Sequence, residues 1–264
     1  MRHATPTDDR RARLIALLRA IVLAAAAVAI LPLPSMAAEG DPTDPPIVVT
    51  DPSDDDDEPD PTPEPTPEPT PQPPPIQKEF IYRSAAITRQ YTNYWCVPAV
   101  TQSMWNLIEG VTNRTYARQK SLYRQIRKHN RYRYTTKGND VQGWAWALRR
   151  FTGEDYQARA YASKSRAMAE IAEAIDRTGH PVGITINHGS HAWIVLGYKA
   201  QPSATDPDKR TLLGFYVSGP LGPNSRDPWR YRYVTMANFR RYFGKYHERT
   251  RKVIWEDKYV LVSD

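Results

Sequence analysis

The chain has 264 residues, a single cysteine and a formal net charge of +7. One cysteine excludes an intramolecular disulfide framework and the zinc sites built on paired cysteines. The charge is unevenly spread. Residues 1–38 carry five Arg and two Asp, residues 39–76 carry twelve Asp and Glu with no Lys or Arg, and residues 77–264 carry 31 basic against 15 acidic side chains.

The first element in chain order is a leader. Arg10, Arg11, Arg13 and Arg19 precede an apolar run from Ala20 to Leu31, and Ser35 to Ala38 offers a small-residue cleavage site. This order predicts a secretory signal peptide over 1–38. An apolar run of this length falls short of the ~20 residues that span a bilayer. The expectation is a secreted or cell-wall-associated protein with no permanent membrane span once the leader is removed.

Residues 41–76 hold 14 prolines. Such a stretch has too little apolar surface to form a core, so 39–76 is predicted to be a disordered acidic linker with polyproline II character. Extended, it reaches roughly 110 Å at about 3.1 Å per residue, enough to project a domain away from a surface. An acidic linker and a basic domain attract at low salt and separate as salt screens them. A domain of this charge favours anionic partners: a cell-wall polymer, a membrane surface, nucleic acid or an acidic protein. No clustered basic-aromatic motif points to nucleic acid.

The globular composition begins at residue 77. "VPAVTQSMWNLIEG" predicts a helix with Pro98 at its first position, Val100, Met104, Leu107 and Ile108 on one face, and Gly110 as its stop. "RTYARQKSLYRQIRKHN" predicts a second, very basic helix. "NDVQGWAWALRRFTG" predicts a third, capped by Asn139 or Asp140. "EDYQARAY" reads as a strand and "SKSRAMAEIAEAIDRTG" as a helix ending at Gly179. Beyond it, "HPVGITI", "HAWIVLGY", "LLGFYV" and "KVIWEDKYVLV" read as strands, with a short helix at "TMANFRRYFGKYH". Helices first and strands after them imply an α+β fold over 77–264.

Cysteine attacks as the thiolate, and a helix N-terminus favours that negative charge. Cys96 stands immediately before the helix opened by Pro98. A general base must reach it. Of six histidines, His3 lies in the leader, His129 and His247 sit in polar surroundings, His180 precedes a strand, and His188 belongs to a turn. His191 opens the apolar strand run directly and is the candidate base. Among the tryptophans, Trp95 and Trp193 neighbour this pair and are expected to wall a cleft; Trp105, Trp144, Trp146, Trp229 and Trp255 read as core.

"QYTNYWCVPAV" followed far downstream by "HAWIVLGY" resembles the papain-like cysteine peptidases, above all their bacterial C-thirty-nine-like branch of bacteriocin-processing peptidases. Gln90 stands six residues before Cys96, Pro98 and Ala99 follow it, and His191 opens a strand that reaches Gly197 and Tyr198. The resemblance implies a papain-like fold, an N-terminal helical part with a central Cys-bearing helix packed on a C-terminal antiparallel sheet. It also implies a peptide or protein substrate and no metal or cofactor. Cys96 is then the nucleophile and His191 the base, with Gln90 and the Cys96 backbone N–H forming the oxyanion hole.

Two positions depart from that pattern. Val97 replaces a glycine after the cysteine and is expected to narrow the substrate groove. Gly219, in "FYVSGPLGPNSRDPW", stands where the resemblance calls for an Asp that orients the imidazole. The Asp-Pro pair recurs at Asp227. Asp227, Ser218 or Asn224 are the candidates for the third member, a dyad working alone being the alternative. The rival readings are a cell-wall peptide amidase or transpeptidase and an inactive peptidase-like binding domain.

Overall fold

The structure, a computed structural model, describes residues 74–132, 138–206, 209–223, 225–248 and 252–264. The leader and nearly all of the proline-rich segment lie outside these residues, as does Asn224. No helix among the described residues is long and apolar enough to cross a membrane.

Five α-helices and seven strands are present among the described residues: β1 (Gln77–Phe80), α1 (Cys96–Ile108), α2 (Tyr116–Lys128), α3 (Val141–Thr152), β2 (Gln157–Tyr161), α4 (Lys164–Thr178), β3 (Val182–Ile186), β4 (His191–Pro202), β5 (Arg210–Ser218), β6 (Arg232–Thr235), α5 (Met236–Tyr242) and β7 (Tyr259–Ser263). The expected α+β class holds. Local chemistry sets most boundaries. The side chains of Thr115, Asp140 and Ser163 accept the backbone N–H three residues on, so each satisfies one unpaired donor of a helix start. Gly153 and Gly179 end their helices in the left-handed conformation.

All pairings are antiparallel, in the order β2-β7-β3-β4-β5-β6. β4 is the axis of the sheet. One of its edges pairs with β5, and the other pairs first with β3 and then with β1. Ala192, Ile194 and Leu196 point to one face, where they meet Val97, Val100 and Met104 of α1, Leu122 and Ile126 of α2, and Trp144 of α3. Trp193 and Val195 point to the opposite face, against Met168, Ile171 and Ile175 of α4 and Phe239 of α5. Tyr198 and Ala200 also lie on that second face, so the alternation changes phase. The irregularity between Val195 and Gly197 in the β5 pairing accounts for the change. A Cβ at Gly197 would lie 2.0 Å from the Glu79 carbonyl oxygen, so only glycine admits β1 there.

Several boundaries differ from the sequence expectation. α1 starts at Cys96, which puts Pro98 third in the helix instead of first. The first-turn N–H groups have no intrahelical acceptor, so a proline there loses no bond. In "KVIWEDKYVLV" only Tyr259–Ser263 is strand. The preceding residues turn through Asp257, at φ 56°, and return to Tyr246 by hydrogen bonds in both directions. β1 and β6 were not expected at all. Each has four residues with little apolar content, and they form because β4 and β5 offer open edges.

Candidate active site

Cys96 is the first residue of α1, and Trp95 before it makes no side-chain capping bond. No side chain therefore occupies the positive end of the helix, and the Cys96 N–H has no acceptor within the helix. His191 is the first residue of β4 and pairs across the hairpin with Ile186. Both side chains line one cavity of about 270 Å³, and Cys96 is among the groups that raise the His191 pKa. The expected pair is thus brought together by a helix start and a strand start, two rigid anchors.

The third member follows from the loop after β5. Asp227 Oδ2 lies 2.9 Å from His191 Nε2, which leaves Nδ1 for the sulfur. Asp227 Oδ1 accepts the Trp193 indole N–H at 3.0 Å, and Oδ2 also accepts the Leu221 N–H at 3.0 Å. His191 and Trp193 are two apart on β4, so they share a face and hold the two oxygens of one carboxylate. The loop folds back because the Gly219 N–H donates to the Pro228 carbonyl at 3.0 Å. A Cβ at Gly219 would lie 2.6 Å from Asp227 Cγ and 2.7 Å from Trp193 Nε1. Gly219 therefore has no side chain where the Asp227 carboxylate now sits. The residue expected at 219 has been replaced in space by one eight positions later. Ser218 does not serve: its buried Oγ has no hydrogen-bond partner.

Burial alone would push the His191 pKa down. The hydrogen bonds with Asp227 and Cys96, and the charges behind them, outweigh this and raise it to about 9. Burial pushes the Asp227 carboxyl up, but the bond and charge of His191, with the donations from Trp193 and Leu221, hold it below its ordinary value. At neutral pH the pair is an imidazolium beside a carboxylate. Its contribution to stability is full only above the ordinary Asp value of 3.8 and below the ordinary His value of 6.5, and it is lost as pH rises through about 9. We expect the His191 ring resonances to titrate near 9, and the midpoint to fall in Asp227→Ala. An NMR titration in which Asp227→Ala leaves the midpoint at 9 would remove Asp227 from this role.

Gln90 is buried and does not line the cavity. Its Nε2 donates to the Thr92 carbonyl at 2.7 Å, and its Oε1 has no partner. Its backbone N–H donates to the Pro220 carbonyl at 2.7 Å, which ties this segment to the loop that returns Asp227. Gln119 of α2 was not anticipated from sequence. It is fully buried, accepts the Tyr91 N–H and donates to the Arg89 carbonyl, so one side chain fixes the backbone on both sides of Gln90. A glutamine on the inward stripe of a basic helix is the only signal the sequence carried for it.

Val97 lines the cavity, as expected of the residue in the glycine position. Trp95 and Trp193 do not. Trp95 packs on Tyr116 and Tyr123, and Trp193 backs Asp227 from the core. The aromatic walls are Tyr94 and Tyr246, joined by Asn139, Asp140 and Glu248. The other histidines lie elsewhere: His129 stacks on Trp146, His180 pairs with Asp264, His188 sits in the β3–β4 turn, and His247 pairs with Glu256.

No curated protein matches the sequence. Among solved structures, UfSP from C. elegans aligns with a TM-score of 0.40 at 14% identity, over 67% of this chain and 32% of that one. This chain thus spans about a third of the length of that protein. Residues 82–251 match the model of the Peptidase_C39 like family, a span that holds Gln90, Cys96, His191 and Asp227. By that match over most of its length, the chain belongs to the Peptidase_C39 like family.

Proposed function

We propose that the protein is a papain-like cysteine peptidase that hydrolyses peptide bonds through Cys96, His191 and Asp227. The observation that supports this best is the 2.9 Å contact between Asp227 and His191. An inactive binding domain has no need of an oriented, protonated imidazole against its one thiol.

The chemistry runs in two halves. The Cys96 thiolate attacks the scissile carbonyl carbon, and the oxygen that becomes negative is held by the Cys96 backbone N–H, joined by the Gln90 amide once its side chain turns from the Thr92 carbonyl toward the cavity. The His191 imidazolium gives its proton to the leaving amine as the C–N bond breaks, leaving a thioester on Cys96. Neutral His191 then takes a proton from water, whose oxygen attacks the thioester. The acid departs, and the thiolate and imidazolium are restored. Asp227 keeps the imidazole ring aimed throughout and does not itself change protonation state.

Gln90→Ala is expected to lower kcat by about 10²-fold with a smaller change in KM, because its amide acts on charge that exists only after attack. Steady-state kinetics on a fluorogenic peptide checks this. An unchanged kcat would leave the oxyanion hole to backbone groups alone.

We place the enzyme outside the cytoplasm, on the strength of the Arg-rich start, apolar run and small-residue site in residues 1–38. N-terminal sequencing of the protein exported by its host tests this. Cleavage after Ala38 supports it, and an intact Met1 in a cytoplasmic fraction refutes it.

A further inference from the structure

Helix α2 carries Arg118, Lys120, Arg124, Arg127 and Lys128 and no acidic residue. Its buried stripe is Gln119, Leu122 and Ile126. Lys120, Arg124 and Lys128 follow one another at intervals of four on the outward side, where like charges one turn apart repel. No carboxylate among the described residues forms an ion pair with any of the three. Helix α4 is the internal contrast. There Arg166 pairs with Glu170 and Glu173, and Arg177 with Glu170, so cations on that helix are matched by carboxylates.

The three cations and Tyr123 line one open patch of the α2 surface, with no acidic residue beside them among the described residues. The Tyr123 ring lies 5.7 Å from that of Tyr94, and Tyr94 lines the Cys96 cavity. The cationic face is therefore in contact with a wall of the candidate active site through two aromatic rings. Positions four apart on a helix lie about 6 Å apart along its axis. Alternate side chains of an extended peptide are spaced about 6.6 Å apart. The cation ladder thus matches a strand with acidic residues at every second position.

We propose that the Lys120–Arg124–Lys128 face of α2 is a docking surface for an acidic stretch of the polypeptide substrate, outside the segment that enters the Cys96 cavity. The proposal rests on the peptidase reading for its occupant. A partner with regularly spaced negative charge turns the repulsion along the ladder into attraction, and Tyr123 and Tyr94 guide the flanking chain toward the sulfur.

The test uses the full chain carrying Cys96→Ala and a fluorescein-labelled Glu-Ala repeat peptide. Anisotropy should report binding that K120Q/R124Q/K128Q weakens by about tenfold or more and that added salt reverses. Circular dichroism checks that the triple variant is folded, and single substitutions stand in for it if it is not. In the active enzyme, the kcat/KM of a substrate with a Glu-Ala extension should exceed that of one with a Ser-Ala extension by about tenfold, and the triple substitution should bring the ratio near one. Equal affinity of the two proteins for the peptide overturns the proposal. So does inorganic polyphosphate binding far more tightly than the peptide at matched charge, which would make a phosphate polymer the occupant. Salt-dependent binding without hydrolysis of either substrate would overturn the peptidase reading and leave the surface standing.

Discussion

Cys96→Ala is expected to abolish peptide hydrolysis, lowering kcat by about 10⁴-fold or more, while the protein stays folded. Cys96 is only half-buried at the start of α1, so loss of its sulfur costs little packing. The chain has no other thiol, which makes chemical labelling unambiguous. Iodoacetamide should add one mass increment at neutral pH, and the alkylated enzyme should lose its activity in step with labelling. The rate should drop in His191→Ala, because the imidazolium that favours negative charge on the sulfur is then gone. Activity that survives Cys96→Ala would mean that the hydrolysis belongs to a different site.

Asp227→Ala should lower kcat by about 10²- to 10⁴-fold, with the ring of His191 free to turn away from the sulfur. The variant also leaves the buried Trp193 indole N–H without its acceptor, as well as the Leu221 N–H, at a cost of about 1–3 kcal/mol for each. A fall in thermal stability is therefore expected alongside the loss of rate. Gly219 gives a sharper experiment. Gly219→Ala should be nearly as damaging as the loss of Asp227, since its Cβ would press within 2.6 Å of the carboxylate carbon. The exchange Gly219→Asp with Asp227→Gly should recover at least about tenfold over Asp227→Gly alone, because an acid at 219 enters the space that Asp227 vacates. The φ of Gly219 is not in the left-handed region, so the backbone accepts an aspartate. If the two changes simply add, the carboxylate at 227 does not substitute for one at 219, and the loop has a different purpose.

Much of this was legible in the sequence for identifiable reasons. A capping residue marked α3 and terminal glycines marked α1 and α4, because the unpaired groups at helix ends demand them. His191 stood out because it opens an apolar strand, and Cys96 because it precedes a helix with a proline in its first turn. Both cues are local. Asp227 was not decidable, because its role depends on a loop closing through the Gly219 and Leu221 backbone, and no local pattern encodes that closure. The gap at Gly219 and the recurrent Asp-Pro pair were both visible. Only the spatial overlap of the Asp227 carboxylate with the missing side chain links them. The cavity walls Tyr94, Tyr246 and Glu248 come from distant segments and were missed for the same reason. Trp95 and Trp193 were assigned to the cavity from their neighbours in sequence. In fact Trp95 packs against the tyrosines of α2, and Trp193 turns to the sheet face opposite α1.

Acid-quenched mass spectrometry of the enzyme during turnover of an activated peptide ester gives the decisive observation. Cys96 should carry the acyl group of the substrate as a thioester, accumulating before steady state and absent from Cys96→Ala. Steady turnover with an unmodified Cys96 peptide, or an adduct on any other residue, would contradict the assignment of this thiol as the nucleophile.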